Sequence, residues 1–101
     1  MSISLRDLIT AVQDRKLSKD QLEHYFDSLS ELESQLYLEL SELEKSEALF
    51  LDACEEKTNA DKERKWKASK EGLRQIDVKN YIRAIKPLLS SVKNRIYQKI
   101  Y

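Results

Sequence analysis

The chain has 101 residues, with 18 basic against 18 acidic side chains and a single Gly, Pro, Cys and His. One Gly and one Pro leave almost no turn chemistry for hairpins, sandwiches or phosphate-cradling loops, so the chain must be built from few, long elements. With 36% charged residues and an apolar content below the usual level of about 45–50%, the composition fits long helices or a coiled coil and excludes a thick globular core.

The first periodic segment places Leu5, Leu8, Ile9 and Val12 at helical spacing, with Ser4 as N-cap and Asp7 at the capping-box position. It predicts a short helix over 5–16. Ser18 and Gln21 then form a Ser-x-x-Gln capping box, and Leu17 and Leu22 flank it as a hydrophobic staple. From there Leu22, Tyr25, Leu29, Leu32 and Leu36 recur at alternating intervals of three and four, which is a heptad seam. After a phase slip, Leu40, Leu43, Phe50 and Cys54 continue the seam, with Glu47 interrupting it. A helix over 19–56 follows, an arm of roughly 57 Å at 1.5 Å per residue.

Lys57 to Asp61 is the one mid-chain interruption. Thr58 and Asn59 are both good N-caps, and Asp61 and Glu63 favour the first turn of the next helix, so a tight turn is expected at 57–59. The last arm, 60–100, carries Trp66, Leu73, Ile76, Ile82, Ile85, Leu89, Val92, Ile96 and Ile100 on its expected core face. Gly72 and Pro87 interrupt it at a cost of about 1 and 3 kcal/mol in a helix interior, so a kink or break is expected near 69–72 or at 87, with Ser69 able to cap a separate last helix. The fold expected is all-α and a single helical domain over 1–101. A short N-terminal helix precedes a long antiparallel hairpin that resembles a coiled coil.

Charge divides the two arms. Residues 21–56 hold eleven acidic side chains against Lys45 alone, and residues 57–101 hold thirteen basic against four acidic ones. Arms of opposite sign either neutralise one another or present two charged faces to other molecules. A two-armed hairpin buries one narrow seam per arm. Leu38, Leu49, Leu51, Val78, Tyr81, Leu88 and Tyr97 fall off that seam and need cover. Self-association into a homodimer with four long helices is the first expectation for that cover, and a docking face for another protein is the second. The residues assigned to assembly are Leu22, Leu29, Leu32, Leu36, Leu43, Ile85, Leu89, Val92 and Ile96.

Two other binding readings rest on charge. Arg64, Lys65, Lys67 and Lys70 surround Trp66, an aromatic able to stack on a base, which makes this cluster the candidate contact for nucleic acid or an acidic partner. The plainer alternative has these cations neutralise the acidic arm while Trp66 closes the core at the turn end. The acidic arm, with Glu31, Glu42 and Glu44 as its candidate face, is the other: a row of carboxylates that imitates a phosphate backbone.

Catalysis finds no support in the pattern. His24 and Cys54 stand 30 residues apart on one predicted helix, about 45 Å, which excludes a Cys-His pair within a subunit. One His and one Cys do not supply the usual zinc ligand sets, so no metal, cofactor or small-molecule substrate is expected. A lone Cys, no secretory leader pattern and no apolar run longer than four residues (Ala48 to Leu51) predict a cytoplasmic location without membrane association.

The stretches Leu36 to Leu51, Thr58 to Lys65 and Ile85 to Ile96 together resemble small phage and prophage proteins of about 100 residues encoded near recombination genes. These have a Leu/Glu-rich first arm, a short turn, a Lys/Glu/Arg/Ala-rich stretch and a final arm ending in a Leu-x-x-Leu-x-x-Arg-Ile pattern. The resemblance covers about residues 30–97 and implies an accessory, non-enzymatic protein acting in the host cytoplasm, with no residue-level role to carry over. Some phage anti-defence inhibitors, anti-CRISPR proteins among them, are thought to work by the acidic imitation described above.

Overall fold

The structure, a computed structural model, describes residues 5–14 and 16–100, apart from the side chain of residue 100. It consists of four helices: α1 (Leu5–Val12), α2 (Lys19–Ala53), α3 (Asn59–Ala68) and α4 (Lys70–Ile100). α2 packs along α4 as an antiparallel hairpin, and the whole is a rod 60 Å long, 26 Å wide and 18 Å deep. The expected all-α hairpin with a short leading helix is the observed fold.

Local chemistry sets each boundary. The α2 N-terminus carries the full capping box: the Ser18 hydroxyl accepts from the Gln21 amide at 3.2 Å, and the Ser18 amide donates to Gln21 Oε1 at 2.8 Å. Leu17 and Leu22, the staple pair, are both buried. Thr58 caps α3 by accepting from the Asp61 amide at 3.1 Å. α1 ends at Val12 and not at residue 16, and α2 ends at Ala53, three residues before the expected end, with Cys54 already extended. The expected Ser4 cap lies outside the described residues.

The last arm is broken at Ser69. Its hydroxyl accepts from the Gly72 amide at 3.0 Å, and its own amide donates to the Trp66 carbonyl at 3.0 Å, so one residue stops α3 and starts α4. Gly72 has a steric reason to be there, since a Cβ at that position would lie 1.8 Å from the Trp66 carbonyl oxygen. Pro87 does not interrupt α4. It is exposed, where the carbonyl that loses its amide partner faces water.

The core is a single seam. Leu22, Leu29, Leu36 and Leu43 recur every seven residues on α2, opposed by Val78, Ile82, Ile85 and Val92 on α4, while Leu8 and Val12 of α1 close one end. Two expectations are corrected. Leu73 and Ile76, assigned to the core face, are exposed, and Val78, placed off the seam, is fully buried. Because the chain restarts at Ser69, the α4 heptad begins at Gln75 and runs through 78, 82, 85, 89, 92 and 96, a phase that a polar first member conceals. Leu88, also placed off the seam, packs half-buried against it.

Arg95 fixes α1 against α4. Its guanidinium donates to the Val12 carbonyl through Nη1 and to the Asp14 carbonyl through Nη2, placing a cation on the last carbonyl of α1 and on one just beyond it. That position suits a cation, because the orphan carbonyls of a helix C-terminus carry partial negative charge. Sequence reasoning missed this residue; the signal was an Arg beside the seam, level with a helix that has no basic residue in its own last turn.

Candidate functional site

The residues assigned to assembly all lie in or against the intrachain seam. Leu22, Leu29, Leu36, Leu43, Ile85 and Val92 are buried within one chain, and Leu32, Leu89 and Ile96 are half-buried against them. A second chain would have to be met by other side chains and by the exposed parts of the half-buried three.

The cluster around residue 66 is divided by its own helix. Trp66 is 4% exposed, packs against Phe50 with ring centroids 5.5 Å apart, and donates from Nε1 to Gln75 Oε1 at 2.7 Å. Gln75 donates in turn to Glu47 Oε2 at 2.8 Å, so one hydrogen-bonded chain joins α3, α4 and α2. Glu47, which interrupts the seam in the sequence, is the acceptor that makes a buried Gln and Trp tolerable there. Among the described residues no buried side-chain polar atom lacks a partner. Of the two readings of Trp66, the structure has the plainer one: the indole closes the core at the turn end and is not placed to stack on a base.

Arg64, Lys65, Lys67 and Lys70 remain exposed. Arg64 is 3.7 Å from Asp61, and Lys65 pairs with Glu56, whose hydrogen bond holds the ammonium pKa above its ordinary value. Successive helical residues project about 100° apart, so Arg64 and Lys67, three residues apart, share a face of α3 while Lys65 points away from it.

The acidic face is also divided. Glu31, Glu42 and Glu44 are all exposed, and Glu31 and Glu42, eleven residues apart, return to one stripe of α2. Glu44 lies well round the helix from them. That outer stripe also carries Leu38 and Leu49, 68% and 71% exposed.

The hairpin has two unlike flanks. On one, α1 lies beside an open groove of about 790 Å³ whose lining includes Leu5, Ile9, Leu32, Leu36, Tyr81 and Ala84, with Arg6 and Arg74 among its polar members. Arg74 forks onto Glu39, with Nη2 to Oε1 at 2.8 Å and Nε to Oε2 at 2.5 Å, and its guanidinium lies 5.8 Å from the Tyr81 ring. The hydrogen bonds from Arg74 hold the Glu39 carboxyl below its ordinary value, and those to Glu39 raise Arg74. On the other flank the Lys86 ammonium lies 5.8 Å over the Tyr37 ring, and a hydrogen bond to the Tyr37 phenol raises its pKa. Glu23, Phe26, Lys93, Ile96 and Tyr97 surround a shallow pocket further along.

Among the described residues, no group of three or more His, Cys, Asp or Glu is placed to hold a metal ion, and no helix is long and apolar enough to cross a membrane. No protein-family model, curated protein or solved structure matches the chain.

Proposed function

We propose that this chain is a non-enzymatic interaction protein that acts by binding other protein surfaces, in keeping with the small phage accessory proteins it resembles. One observation carries the reading. On a rod this thin, Tyr37, Leu38, Leu49, Leu73, Ile76, Tyr81 and Tyr97 all stand out into solvent. They are not scattered singly: Leu38 and Leu49 share the outer stripe of α2, and Tyr37 and Tyr97 share the flank opposite α1, and apolar side chains gathered on one face are a feature of chains that are covered by a partner. The basic cluster is the weaker reading, since its aromatic is withdrawn and two of its cations are engaged by Asp61 and Glu56. A second binding reading is favoured by Glu31 and Glu42 on one exposed stripe: the acidic arm would imitate a phosphate backbone and occupy a basic groove on a nucleic-acid-handling enzyme.

Size exclusion with light scattering, run with and without a short duplex DNA at low and moderate salt, tests the first reading. The expected result is an elution position that DNA leaves unchanged. A DNA-dependent shift that weakens as salt rises overturns it in favour of the basic cluster.

A further inference from the structure

The flank opposite α1 carries two charged stripes of opposite sign. On α2, Phe26, Glu33, Tyr37 and Glu44 follow one another at intervals of seven, four and seven; on α4, Lys79, Lys86 and Lys93 recur every seven, and Tyr97 lies one turn beyond. Intervals of four and seven keep side chains on one face of a helix. Both stripes face the same way, because Lys86 lies over Tyr37 and because Phe26 shares its pocket with Lys93 and Tyr97. Tyr37 and Tyr97 are 41% and 51% exposed, and half-buried Leu40, Leu89 and Ile96 belong to the seam between the stripes. Among the described residues, Glu44, Lys79 and Lys93 make no ion pair.

The register decides what fits there. Gln75 meets Glu47, and Ile96 shares a pocket with Phe26, so along this hairpin Glu44 lies level with Lys79, and Glu33 lies level with the interval between Lys86 and Lys93. A second copy turned by half a revolution about an axis parallel to the helices brings α2 over the partner's α4 without changing any level. Glu44 then meets the partner's Lys79, Glu33 meets its Lys86 and Lys93, and the tyrosines and leucines close between them. A half-turn about an axis across the helices sets glutamate on glutamate and lysine on lysine, which like-charge repulsion disfavours. The spacing of charges that complements this flank is the spacing of the flank itself.

We propose that the chain self-associates face to face through this flank, the acidic stripe of each α2 lying on the basic stripe of the partner's α4 about a two-fold axis parallel to the helices. The proposal rests on the reading that the chain works by protein binding, and it closes four long helices into a bundle whose neighbours are antiparallel throughout.

Two charge-reversed variants test it, Glu33→Lys with Glu44→Lys, and Lys79→Glu with Lys93→Glu, each checked for retained helicity by circular dichroism. Light scattering should find the wild-type chain at twice 11.9 kDa, each variant alone weakened in self-association by on the order of tenfold or more, and an equimolar mixture of the two dimeric again. Recovery on mixing is specific to contacts between chains, because within each variant the like charges remain together. A wild-type monomer, variants that still dimerise alone, or a mixture that stays monomeric overturns the proposal. If either variant loses its helicity, the wild-type dissociation constant is followed from about 50 to 500 mM NaCl: weakening is expected from screening, and a salt-independent dimer overturns the proposal. A wild-type monomer that ignores DNA removes this face and leaves the protein-binding reading standing, whereas a salt-sensitive DNA complex removes that reading.

Discussion

Trp66 shows how a single buried donor organises the turn end of the rod. Its indole Nε1–H is the partner of Gln75 Oε1, and Gln75 is in turn held by Glu47. Replacing Trp66 with Phe keeps most of the ring's packing but leaves the Gln75 acceptor inside the protein without a donor. Such an orphan costs about 1–3 kcal/mol, so the unfolding free energy of Trp66→Phe in urea should fall by that amount and its midpoint should fall accordingly; an unchanged midpoint would show that water replaces the indole. Gly72 acts through the backbone instead. A Cβ there meets the Trp66 carbonyl carbon at 2.6 Å as well as its oxygen, and backbone cannot swing aside as a side chain does. Gly72→Ala should therefore destabilise by at least the roughly 1–3 kcal/mol of ordinary overpacking, although Ala is the better helix former. Burial of Trp66 at the turn end was legible in the sequence, but the roles of Gly72 and Glu47 were not. Gly72 reads there as a flaw in a helix, and Glu47 as a break in a heptad, because the partner that gives each its purpose lies across a break or on another helix.

At the scale of elements, legibility followed periodicity. Heptads on α2 and on α4 from Ile82 onward, the Ser18 capping box and the Thr58 cap could all be read because each is local and uses residue types with one dominant explanation. Phase across Ser69 could not be read, since nothing local says which of Leu73, Gln75, Ile76 and Val78 faces inward after a helix restarts. The contacts that hold elements together were equally hidden. α1 has only eight residues, too few for an independent helix in water, and it depends on Arg95 for the cover of its last carbonyl. Arg95→Leu should leave α2 and α4 intact and speed amide hydrogen exchange selectively in Leu8–Val12; protection that is unaltered there would mean that apolar packing alone secures the helix. The Glu39–Arg74 fork ties α2 to α4 and makes their docking pH-dependent. Arg74 holds the Glu39 carboxyl below its ordinary value of 4.5, so the folded chain takes up that proton less readily than the unfolded one. The fork's contribution is present above that value and is lost as pH falls through the lowered one. Urea midpoints of wild type and Glu39→Gln should differ at neutral pH and converge once the pH lies below the lowered Glu39 value; a gap that persists in acid would place the effect in packing and not in charge.

For the whole molecule, the division of charge has a consequence that individual ion pairs do not show. Four salt bridges are formed among the described residues, and one of them, Glu39 with Arg74, joins α2 to α4. Yet the acidic and basic arms lie side by side over the length of the hairpin, with net charges of −10 and +9 over residues 21–56 and 57–101. Attraction between them is therefore spread over many pairs several ångströms apart, each weak and each open to screening. Added salt shortens the Debye length from about 30 Å at 0.01 M to about 3 Å at 1 M, which removes the distant pairs first and the direct contacts last. Urea unfolding of the chain should thus show a midpoint that falls steadily from about 0.01 to 0.5 M NaCl with an unchanged slope, because the same surface is exposed on unfolding. Measured on the wild-type chain at concentrations low enough for light scattering to find a monomer, the loss isolates attraction within one chain from attraction between chains. A midpoint that rises with salt under those conditions would mean that repulsion within each arm outweighs attraction across the hairpin. The seam of leucines and isoleucines would then hold the rod together against its charges.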